Sequence, residues 1–141
     1  MRLILEIPLL DRSSYLKGLL ITARKDNKLA DSEIEIIKNF SSRLGFSSDF
    51  FEETIKNLLE NKYITDDPIK FSERSIAKSF IEDGLKLALS DNEIGKEEIG
   101  WLLETAKVND IDEEWVNKKM MDIKSKPYLI GSTEFALFSL I

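Results

Sequence analysis

Apolar positions recur every three or four residues along most of the chain, which is the period of an amphipathic helix. Tyr15, Leu16, Leu19, Leu20 and Ala23 make the first stripe. It closes at Arg24-Lys25-Asp26-Asn27, where cations suit a helix C-terminus and Asn tolerates the left-handed conformation that ends one. A second stripe begins after Leu29, takes Ile34, Ile37, Phe40, Ser41 and Leu44, and stops at Gly45. Ser47-Ser48-Asp49 offers caps for a third helix with Phe51, Ile55, Leu58 and Leu59 on its apolar side. From Asn61 to Phe71 the rhythm fails. There Asp66-Asp67-Pro68 pushes the chain out of helical geometry, so a connector is predicted. Ile76, Phe80, Ile81, Leu85 and Ala88 then predict a fourth helix from Ser72 to Ser90-Asp91-Asn92. Ile99, Leu102, Leu103 and Ala106 mark a fifth, and Trp115, Val116, Lys119 and Met120 mark a sixth that runs from about Asp112 to Lys126-Pro127. The expected class is all-α, with room for a short strand or irregular segment at either end.

The pattern also repeats. Sliding the chain on itself by 65 residues lays Asp26 on Asp91, Asn27 on Asn92 and Glu33 on Glu98. In that register Ala23 meets Ala88, Leu20 meets Leu85, Leu29 meets Ile94, Ile34 meets Ile99, Ile37 meets Leu102 and Phe46 meets Ile111. Identities are few, yet the apolar phase holds across three predicted helices and the turns between them, as expected of one unit used twice.

The doubled element Ala23-x-x-Asp26-Asn27-x-Leu29-x-x-x-Glu33 and Ala88-x-x-Asp91-Asn92-x-Ile94-x-x-x-Glu98 resembles the paired Ala-x-x-Asp-Gly-x-Ile-x-x-x-Glu signature of TerB-like domains. That family includes tellurite-resistance proteins and the N-terminal region of a membrane-attached DnaJ-type co-chaperone. The resemblance implies one domain over residues 1–141 made of two pseudo-symmetric three-helix units, at about 13–60 and 72–121, with an apolar extension over 122–141. Asn27 and Asn92 stand where the family has Gly, and both still permit a positive φ. Ala30 and Gly95 stand where it often has a capping Ser, which weakens both caps.

The resemblance further implies a divalent cation, calcium or magnesium, held by Asp26, Glu33, Asp91 and Glu98, since carboxylates are suitable hard oxygen donors. The spacing is not that of a calcium-binding helix-loop-helix, because each Glu follows its Asp too soon and Leu29 or Ile94 intrudes. A capping role accounts for the same residues. Glu33 and Glu98 fall in a first helical turn, and Asp26 and Asp91 suit turns that bond their own backbone. A cap can also be a ligand, so both readings stay open.

Composition narrows the rest. At 141 residues, 43% hydrophobic and 33% charged, the chain is suited to one folded domain. A formal charge of −6, with the few clustered cations limited to Lys118, Lys119, Lys124 and Lys126, speaks against nucleic acid as a partner. The absence of both Cys and His removes thiolate and imidazole chemistry, and with it the usual nucleophile arrangements. Met1–Leu10 is broken by Glu6 and Pro8, so neither a signal peptide nor a membrane-spanning helix is expected, and the cytoplasm is the default location. Acids such as Asp31, Glu93, Glu97, Glu104, Glu113 and Glu114 read as solvated helix faces. Trp115 reads as core, Trp101 as core or a half-exposed contact anchor, and the apolar tail from Tyr128 as docked on the core or on a partner. The expected function is therefore a non-enzymatic binding or scaffold module with a protein partner, in a stress or metal-resistance setting that the resemblance alone implies. The alternative is a divalent-cation sensor.

Overall fold

A computed structural model describes residues 7–24, 31–60, 67–88 and 96–125, with helical residues 24, 31–33, 58–60, 96 and 97 described by backbone only. Among the described residues six helices follow one another: α1 (Leu9–Arg24), α2 (Asp31–Arg43), α3 (Ser48–Glu60), α4 (Arg74–Ala88), α5 (Lys96–Val108) and α6 (Glu113–Ser125). The fold is all-α, with no strand among the described residues. No helix among them is long and apolar enough to cross a membrane. The expected tail docking, both Asp-Asn turns and residues 61–66 of the expected connector lie outside the described residues.

α1 and α4 form the central pair and make the most extensive helix–helix contact. They can approach closely because Gly18 has no side chain: a Cβ there would lie 2.5 Å from the Phe80 ring. α2 and α5 flank the pair, α3 packs chiefly on α2, and α6 packs on both α4 and α5. The core runs as a chain of rings. Tyr15 meets Phe40 at 6.2 Å, Phe71 at 6.0 Å and Phe80 at 5.4 Å between centroids, and Phe80 meets Trp101 edge-on at 6.0 Å. Burial of these large side chains supplies most of the driving force, at about 25 cal/mol per Å² of apolar surface.

Side chains secure the ends of the elements. Ser47 caps α3 by accepting the Phe50 N–H at 3.1 Å. Gly45, at φ 93°, closes α2: its N–H goes to Ser42 O and the Phe46 N–H to Ser41 O, both at 3.0 Å, which satisfies carbonyls the helix leaves free. α5 closes the same way, with Asp110 at φ 58° donating to Lys107 O and Ile111 to Ala106 O. The stretch before α4 is tied down from two sides. Asp11 accepts both the N–H and the hydroxyl of Ser72, while Asn109 accepts the Phe71 N–H at 2.8 Å and donates to Ile69 O at 2.7 Å and Thr105 O at 2.8 Å.

Candidate functional site

Of the four repeated acids, Asp26 and Asp91 lie outside the described residues, so whether all four converge lies outside them too. Glu33 and Glu98 are the third residues of α2 and α5, the position from which an acid reaches back to a helix N-terminus. Only the Glu98 side chain is described. It is 5% exposed and interacts within the chain. Among the described residues no group of three or more His, Cys, Asp or Glu side chains is placed to hold a metal ion.

Three polar constellations went unforeseen. At the centre of the molecule the Tyr15 hydroxyl donates to Asp83 Oδ2, and both residues are fully buried. Burial first, and then the Asp83 charge, push the Tyr15 phenol well above its ordinary value. An acid lying between Phe80 and Leu87 on the apolar side of α4 was the available signal, but its partner is 68 residues away. Sealed from solvent, the pair has no access to a substrate.

On the α4–α6 seam, Glu82 accepts from Lys119 at 2.9 Å and Lys86 at 3.4 Å. Burial pushes the Glu82 carboxyl up, but these two ammonium groups outweigh it and hold the group below its usual range. Trp115 lies half-buried against the core, with Lys78 and Lys119 nitrogens 5.4 and 5.6 Å from its ring. Trp101, by contrast, is 4% exposed and belongs to the core, which removes the contact-anchor role.

The third lies at the surface. The α5–α6 turn borders a concavity of about 570 Å³ with Leu103 and Ile111 as its apolar lining and Glu104, Asp110, Asp112, Glu113 and Lys107 around them. Glu104 and Glu113 are exposed, as a solvated face requires, but they face a hollow rather than open solvent. The sequence carried no sign of that hollow, because it exists only once the turn is closed. No family model matches the chain, and no curated protein or solved structure matches it either.

Proposed function

We propose that the chain is a non-enzymatic binding module of the TerB-like kind, made of one three-helix unit used twice. The observation behind it is a shared register. Moved by 65 residues, α2 (Asp31–Arg43) becomes 96–108, the bounds of α5, and α3 (Ser48–Glu60) becomes 113–125, the bounds of α6. The same shift carries the start of α1 at Leu9 onto the start of α4 at Arg74. Backbone bonds follow it as well. Arg12 N to Pro8 O pairs with Ala77 N to Glu73 O, Phe46 N to Ser41 O with Ile111 N to Ala106 O, and Phe51 N to Ser47 O with Val116 N to Asp112 O. Chance seldom brings apolar phase, helix bounds and closing bonds into one register.

A binding role is favoured over catalysis because the chain has no His or Cys and the buried pair of Tyr15 and Asp83 is closed to solvent. The stress or metal-resistance setting follows from the resemblance and from nothing else. The test is affinity capture with the full chain, followed by reconstitution of any captured protein from purified components. A saturable complex supports the reading. Failure of every captured protein to bind at about 100 μM counts against it. Melting with and without calcium or magnesium separates the cation sensor: a bound ion raises the midpoint by mass action, and a module without one melts unchanged.

A further inference from the structure

The hollow at the α5–α6 turn has the shape and charge of a docking groove. Leu103 is half-buried and Ile111 buried, so the lining is apolar at its base. Glu104, Asp110, Asp112 and Glu113 stand exposed around it, against a single Lys107, and among the described residues none of the four carboxylates is in a salt bridge. About one turn before Leu103 on α5 stands Gly100, on the side of the helix that also bears Glu104. A Cβ at Gly100 would meet no atom of the described residues within 4 Å. Packing among the described residues therefore gives no reason for a residue that weakens a helix in its middle. A second backbone approaching α5 does give one.

The first copy serves as an internal comparison. Its corresponding turn, Gly45-Phe46-Ser47-Ser48, closes with the same bonds and no carboxylate, and Glu35 stands where Gly100 does. The acids are thus not needed to make the turn, and the bare helix position is not needed to make α5.

We propose that this groove docks a basic amphipathic helical segment of a partner protein. An apolar side chain of the segment would enter over Leu103 and Ile111, its backbone would pass close to Gly100, and its Lys or Arg side chains would meet the surrounding carboxylates. The inference rests on the binding-module reading and adds the surface and the partner's chemistry.

The experiment is fluorescence anisotropy of a labelled helical peptide of roughly four turns, with Leu on one face and Lys on the other, titrated with the full chain. Two companion peptides carry Glu in place of Lys and Ser in place of Leu. The basic peptide binds saturably, and the doubly substituted Glu104→Lys, Asp112→Lys chain weakens it by about tenfold or more. Gly100→Leu weakens it while leaving the fold at least as stable, a combination a structural role does not produce. Asp49→Lys with Glu52→Lys on α3 makes the same charge change at exposed sites elsewhere and leaves binding within about twofold. Equal loss in that control, equal binding of either companion peptide, or no saturable binding of the basic peptide overturns the proposal. If a reconstituted partner complex survives both groove variants, this site falls while the binding module stands. If no protein partner binds at all, both fall.

Discussion

Replacing Tyr15 by Phe takes one oxygen from the centre of the molecule and leaves the ring among Phe40, Phe71 and Phe80. Packing is preserved, so the loss isolates the hydrogen bond to Asp83. A hydrogen bond to a charged group contributes about 1.5–3 kcal/mol, and a fully buried acceptor left short of a donor moves the cost toward the upper end. Asp83 keeps other interactions, which hold the expected loss to about 2–3 kcal/mol at neutral pH. For a domain of this size that lowers the melting midpoint by roughly 6–12 °C. The pH dependence gives a second, independent reading. Because the folded-state value of Tyr15 is raised, its contribution is complete below the ordinary phenol value of 10.0 and is lost as pH climbs above it. The wild type therefore loses up to about 1.4 kcal/mol per pH unit from this group in that range, and the variant does not. Urea denaturation at neutral pH and at several values above 10 measures both effects. A variant as stable as wild type at pH 7, or a gap that stays constant into the alkaline range, refutes the assignment of Tyr15 and Asp83 as a coupled buried pair.

Gly18→Ala gains about 1 kcal/mol of helix propensity but drives a methyl to 2.5 Å from the Phe80 ring, and overpacking of about 1–3 kcal/mol makes the calorimetric outcome a net destabilisation. Asn109→Ala removes all three bonds of the clamp and leaves the buried Phe71 N–H without its acceptor, costing about 2–3 kcal/mol and speeding hydrogen exchange at Phe71 more than in the middle of α4. Asp110→Gly relieves a left-handed residue and stabilises the chain by about 1 kcal/mol in urea, while Gly45→Ala costs about as much. Lys119→Met removes the nearer cation from Glu82, whose lowered value stabilises the fold above the ordinary carboxyl range and is lost on acidification. The variant thus loses its share of stability at higher pH than wild type, by a solvent-screened amount of about 0.5 kcal/mol, as acid titration followed by circular dichroism would show.

Helix periodicity was legible because α2, α4 and α5 each turn one stripe inward, so Ile37, Phe40, Phe80, Leu85 and Leu102 are all fully buried where the pattern put them. It was least legible at α1, which starts at Leu9 rather than near Tyr15. There the pattern inverts: Leu9 and Leu10 are exposed, while Asp11 is buried because Ser72 supplies its donors. Trp101 read as core or contact anchor in sequence, but α5 buries two adjacent positions, Trp101 against Phe80 and Leu102 against Gly84. Asp83 and Asn109 satisfy groups far away along the chain, and no local spacing announces such a partner. Glu104 and Glu113 were read correctly as exposed, yet their bearing on a ligand depends on curvature that only the closed turn creates.

The most direct measurement compares the two halves as they stand in solution. The chain has no cysteine, so pairs of spin labels can be introduced cleanly at exposed sites: Asn39 with Glu53, across α2 and α3, and Glu104 with Lys118, their counterparts across α5 and α6. If one three-helix unit is used twice, pulsed electron resonance returns the same mean distance for both pairs within the uncertainty of the label. Two distinct distances, each narrow and each in a chain that melts like wild type, would contradict it.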